Sequence, residues 1–236
     1  MLHILFGEPE KVPDGALGET LSLMDRFSGI IGKRLAEGRE GDMGAKLRKY
    51  QIWTRGLRAS LIELDQSCYA AVKFREKVIS TSVEAMTPEE KLNYDRYVYF
   101  DKNAFIRVFS LLDKLGTLLN ELLGLRTERF KPHFSYFTVL RHMREKRVHA
   151  NLGRPLDEIK ERYSEPMRRL RKRRNTEIHY MNSEMQDDLI QSQRMYGEEI
   201  RLENIQAQEE DLHQALNMTI DSLRHTFQYA CSLMKS

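Results

Sequence analysis

From Phe105 to Leu122, apolar side chains fall at positions 105, 108, 109, 112, 115, 119 and 122. Steps of one, three and four put all seven on one side of an α-helix, whereas a strand would scatter them over both faces. The same spacing joins Leu57, Leu61, Leu64, Cys68 and Ala71, and again Leu212, Leu216, Ile220, Leu223, Phe227, Ala230 and Met234. No stretch alternates with period two, and no hairpin dipeptide separates apolar runs. The sequence therefore predicts an all-α fold, an antiparallel bundle of about six helices.

Punctuation sets the expected limits. Thr87-Pro88-Glu89-Glu90 reads as a helix start, with Thr87 capping and Pro88 in the first turn, and Gly124 lies near that helix's end. Asn151-Leu152-Gly153-Arg154-Pro155 reads as a break, with Pro155 opening the next helix; Pro166 fits a first turn after Ser164. The predicted helices cover roughly 16–37, 43–82, 88–124, 134–150, 155–182 (jointed near Ser164) and 200–234. Residues 1–15 read as irregular and 183–200 as an exposed connection. Residues 1–42 form an unassigned N-terminal segment with the first helix, and 43–236 form the bundle.

Charge is unevenly placed. Arg141 to Arg174 holds 13 Lys/Arg against 5 Asp/Glu in a chain whose net charge is only +3. A positive surface on a mildly acidic body attracts a polyanion. No apolar run is long enough to span a bilayer, and MLHILFGEPEKVP lacks the basic start and cleavage site of a signal peptide. No membrane association is expected, and a cytoplasmic location is. Cys68 and Cys231 are accordingly expected as free buried thiols.

Several chemistries find little support. Glu210-x-x-His213 has the spacing of di-iron bundles but no second copy, so no metal is expected. No Gly-rich phosphate cradle or serine-hydrolase elbow is present, and no cofactor is expected. Cys68 sits on an apolar stripe, where burial explains it better than catalysis. Tyr94, Tyr97, Tyr99, Phe100 and Phe105 could stack bases, but their helical spacing favours a core or a subunit contact.

The basic run Arg168, Arg169, Arg171, Lys172 and Arg173 leads into Arg174-Asn175-Thr176-Glu177-Ile178-His179. Arginine followed by histidine five positions later also occurs at Arg144 and His149, so spacing alone is weak. The second copy differs in having Asn175 directly after the arginine and Ile178 before the histidine. Asn175 and His179, four apart, share a helix face, whereas Arg174 lies about 140° around the axis from His179 and must either swing its side chain toward the site or act beside a histidine from a second subunit. The first copy has Glu145 at the asparagine's place and runs into the expected break. Alternatively, Arg174 could pair with Glu177 or Glu165, leaving the motif purely structural.

RNTEIH resembles the signature of the HEPN superfamily of helical-bundle proteins, and FDKNAFIRVFSLLDKLGTLLNELLG is similar to a bacterial stand-alone branch. The resemblance spans 43–236 and implies a homodimer with both copies of the signature in one cleft. It implies metal-independent RNA cleavage by Arg174, Asn175 and His179, with Arg168 to Arg173 on the substrate backbone. Some relatives of this kind are toxins or defence elements held by an antitoxin protein, and others only bind RNA. A few carry a modified tyrosine two places after the histidine; here Met181 stands there and the tyrosine is Tyr180. The alternative reading is a non-catalytic RNA- or protein-binding helical module.

Overall fold

A computed structural model of the chain describes residues 2–38, 41–179 and 205–234. Seven α-helices occur among them: α1 (Gly15–Ala36), α2 (Gly41–Arg75), α3 (Pro88–Leu122), α4 (Tyr136–Lys146), α5 (Ala150–Arg162), α6 (Ser164–His179) and α7 (Ile205–Leu233). Short 3-10 turns cover Leu2–Phe6 and Thr127–Arg129. The all-α expectation holds. The jointed fifth segment proves to be two helices, α5 and α6, meeting at Tyr163. The connection expected at 183–200 lies outside the described residues.

Two compact units form. Unit 1 takes residues 1–10, 64–106 and 164–215, and unit 2 takes 11–63, 107–163 and 216–236. The core of unit 1 gathers Ala70, Ala71, Phe74, Tyr94 and Tyr97, with Leu2, Phe6, Phe100 and Ile205 packed at its margin. The first residues, expected to be irregular, are held here. His3 stacks on Tyr69, Phe6 meets Phe74 edge-on, and the Leu2 amide donates to Gln66. Unit 2 buries Phe27, Leu57, Leu61, Leu112, Leu115, Leu119, Tyr136, Leu156 and Phe227. Burying each such side chain contributes roughly 2 kcal/mol, and this outweighs the weak local propensity of any single turn.

The caps explain where helices stop. Thr87 Oγ1 accepts from the Glu90 amide at 3.2 Å, as its place before Pro88 predicts. At the end of α3, Gly124 adopts φ 62° and the Leu125 amide returns to the Asn120 carbonyl, closing the helix. The break expected at Asn151–Pro155 lies earlier. Arg147 and His149 take left-handed conformations, and α5 runs through Pro155. Pro155 falls in the second turn, where it removes one helical hydrogen bond. Gly153 is helical, and a Cβ there would meet Met143 of α4 at 3.5 Å. That is an ordinary van der Waals distance, so Gly153 marks neither a turn nor a close approach here.

Both cysteines are free and buried, and burial pushes the Cys68 thiol well above its ordinary range. Among the described residues, no helix is long and apolar enough to cross a membrane.

Candidate active site

Helix α6 begins at Ser164, with buried Pro166 in its first turn. Met167 and Leu170 fix its inner face, at 3 % and 0 % exposure. An α-helix advances about 100° per residue, so Arg168, Lys172, Asn175 and His179 fall on one stripe within about 20–40° of its centre, with Arg171 at its edge. Arg168, Arg171 and Lys172 are exposed, and Asn175 is half-buried. The backbone of His179 closes the helix; its side chain, like Tyr180 and Met181, lies outside the described residues.

The five residues of the basic run do not share one fate. Arg169 turns inward and grips Asp211 of α7 with two bonds, Nε to Oδ2 at 2.8 Å and Nη2 to Oδ1 at 2.6 Å. Those bonds raise the Arg169 pKa above its ordinary value. Arg173 is held more deeply. It makes a short ion pair with Asp101 of α3, reaches Gln208 at 3.3 Å and covers the Phe105 ring. Asp101 has only 3 % of its side chain exposed. Arg75 of α2 meets Glu209 in the same way, so three arginines converge on the segment Gln208–Asp211. Arg168 pairs with Glu165 at the surface and holds that carboxyl below its ordinary pKa. An exposed pair of this kind stabilises little and opens readily to another anion.

Arg174 resolves the geometric difficulty of the motif. Its position lies about 100° from that of Asn175, yet its guanidinium bends back and forks onto Asn175 Oδ1, Nε at 3.1 Å and Nη2 at 2.8 Å. The arginine head is thus carried to the stripe that leads to His179. Neither carboxylate offered by the structural alternative takes it up in these contacts: Glu177 pairs with Lys102 of α3 at 2.7 Å and Glu165 with Arg168. The other Arg-His pair is broken apart. Arg144 belongs to α4, whereas His149 lies beyond its end and shares a 3.0 Å hydrogen bond with the Tyr229 hydroxyl.

Of the aromatic group considered for base stacking, Tyr94, Tyr97 and Phe105 are buried, and Phe100 stacks on Phe74. Tyr99 is 63 % exposed. Glu210 accepts from Gln214 one turn on.

Sequence reasoning missed a second basic region. Residues 126–154 contain eight Lys/Arg and two Asp/Glu. They surround α4 and the start of α5, where a cleft of about 230 Å³ lies; none of its lining residues comes from α6. The signal was present in the charge count but was obscured by the denser run in α6.

A family model described as Cthe2314-like HEPN matches residues 53–231. No curated protein and no solved structure shows a significant match to the chain.

Proposed function

Because the chain belongs to the Cthe2314-like HEPN family, whose modules are generally ribonuclease-like, we propose that it is a metal-independent endoribonuclease acting as a homodimer. The observation that carries this reading is the fork of Arg174 onto Asn175, which presents a guanidinium beside the stripe of Arg168, Lys172 and His179. Histidine ordinarily titrates near neutrality, and His179 takes the proton from a ribose 2′-hydroxyl. The 2′-oxygen attacks phosphorus, the bond from phosphorus to the 5′-oxygen breaks, and a 2′,3′-cyclic phosphate remains. A second imidazole, His179 of the partner subunit, returns a proton to the leaving 5′-oxygen. Arg174 neutralises the charge that builds on the phosphoryl oxygens, and Asn175 holds Arg174 in place. Arg168, Arg171 and Lys172 contact the RNA backbone without reading sequence. Arg169 and Arg173 support the helix through Asp211 and Asp101. Restraint of such an activity by an antitoxin protein, in a toxin or defence role, belongs to the same reading.

Self-association is supported by a stripe on α3. Leu92, Tyr99 and Ile106, 49 %, 63 % and 39 % exposed, recur every seven residues. A two-fold axis at Tyr99 pairs the helix antiparallel with its copy and sets Leu92 opposite Ile106, a self-complementary arrangement. Asp101 and Lys102 on the same helix hold Arg173 and Glu177 of α6. Tyr99→Glu is expected to give monomers in sedimentation and to abolish cleavage; a dimeric variant rules out this contact.

The decisive experiment incubates purified protein with single-stranded RNA in EDTA and analyses the ends. Cyclic phosphates are expected. His179→Ala should abolish cleavage, and Arg174→Ala should reduce it by about 10²–10³-fold, with circular dichroism unchanged. Cleavage by His179→Ala at the normal rate overturns the assignment. Salt-sensitive binding without turnover in the unaltered protein favours the non-catalytic RNA-binding module.

A further inference from the structure

The basic region of unit 2 keeps two of its cations, Lys131 and Arg141, off any carboxylate among the described residues. Ser135 and Thr138 cap α4 reciprocally. A Cβ on Gly116 would stand 2.8 Å from the Tyr136 Cα, so only glycine lets α4 lie this close to α3. Tyr136 then anchors α4 inward, its hydroxyl bonded to Ser222 at 3.1 Å. With Tyr136, Val139, Leu140 and Met143 buried, Phe137, Thr138, Arg141 and Arg144 form the other face.

That face, with Lys131, Asp157 and Lys160, lines the cleft of about 230 Å³. Four cations meet one carboxylate. Arg144 stands 3.8 Å from Asp157, and Lys160 pairs with Glu161 at 2.6 Å. Lys131 and Arg141 are exposed and pair with no carboxylate among the described residues. Outside the cleft lining but next to Lys131 in the chain, Phe130 is 68 % exposed, with His142 edge-on at 4.9 Å and the Lys146 ammonium 5.4 Å from its ring. A large aromatic held at the surface among cations is the arrangement that binds single strands: phosphates take the cations and a base takes the ring face.

We propose that this cleft is a second RNA-binding site, holding the phosphate backbone of a single strand at Lys131, Arg141 and Arg144 with one base on Phe130. The choice of RNA as its ligand rests on the function proposed above; the site itself is separate from the α6 motif. It acts by retention: RNA held here stays near the protein between encounters of its other phosphodiesters with the motif.

The test measures fluorescence anisotropy of a labelled dodecauridylate on full-length His179→Ala protein, so that no substrate is consumed. Adding Lys131→Gln and Arg141→Gln is expected to weaken binding at least ten-fold. It should also flatten the slope of log affinity on log salt by about 1.4, at about 0.7 for each lost single-strand phosphate contact. Phe130→Ala should weaken binding about five-fold or more with the salt slope kept. With His179 restored, Lys131→Gln/Arg141→Gln should cleave a dinucleotide at the normal rate, since the cleft contributes no residue to the α6 motif. Unchanged affinity in both sets of variants overturns the cleft. Loss of dodecauridylate binding in the variants without any dinucleotide cleavage by the unaltered protein keeps the cleft and overturns the catalytic reading. Dinucleotide cleavage without dodecauridylate binding does the reverse.

Discussion

The basic helix α6 and the basic face around α4 look alike in composition and differ in what their charge is spent on. In α6, Arg169 and Arg173 are committed to Asp211 and Asp101, while Arg168 pairs with Glu165 only at the surface. Around α4, Lys131 and Arg141 pair with no carboxylate among the described residues, and the exposed ring of Phe130 directly precedes Lys131 in the chain. A density of arginines is therefore not a measure of available charge. Carboxylates on α3 and α7 decide which cations hold the fold and which remain for a ligand.

The largest expected effect on stability falls on the committed side. Arg173→Ala leaves Asp101 buried with its principal cation gone, and stripping one partner from a buried pair costs about 3–5 kcal/mol. Arg173 keeps 23 % of its side chain in solvent, so the lower figure applies. Arg169→Ala should cost less, about 1–2 kcal/mol, because the arginine end of that pair is half exposed and water replaces part of the contact. Urea denaturation read by circular dichroism measures both. Equal, negligible losses for the two would break the distinction between committed and available charge, and would return all of Arg168–Arg173 to the RNA-binding surface.

Much of the fold was legible because it rests on periodicity. The residues picked out by the three- and four-residue steps are almost all buried, Leu57, Leu61, Phe109, Leu115, Leu223 and Phe227 among them. Thr87 was legible because capping is local. The break before α5 was not, because Gly153 and Pro155 are turn residues by habit, whereas both lie near the start of α5, where a proline costs least. In the site, the shared stripe of Asn175 and His179 follows from helix geometry alone. The recoil of Arg174 onto Asn175 does not, since a long side chain has many rotamers and the sequence selects none. Least legible were the partners of Arg169 and Arg173, which lie 42 and 72 residues away along the chain. No local pattern marks Asp101 as the residue that removes Arg173 from the surface.

The smallest effect sharpens the same contrast at the edge of unit 1. Glu8 accepts from Lys73 at 2.7 Å and from the Tyr69 hydroxyl at 2.7 Å, and these two contacts hold its carboxyl down to about 2 from an ordinary 4.5. A depressed carboxyl stabilises the folded form fully above pH 4.5. It loses that contribution as the pH falls toward 2, because the unfolded chain binds the proton first. Glu8, Lys73 and Tyr69 are half-buried at the margin of the unit, so the loss is local: the turn at Leu2–Phe6 loosens while the core persists. Hydrogen exchange at the Gly7 and Glu8 amides, which donate to Ile4 and His3, should show constant protection from pH 7 to 4.5 and falling protection below it. Glu8→Gln should show the low-pH protection at every pH. Protection that ignores pH below 4.5 in the unaltered chain would mean that stacking of His3 on Tyr69 and of Phe6 on Phe74 holds the segment alone, with Lys73 then joining Lys131 among the cations that the fold leaves available.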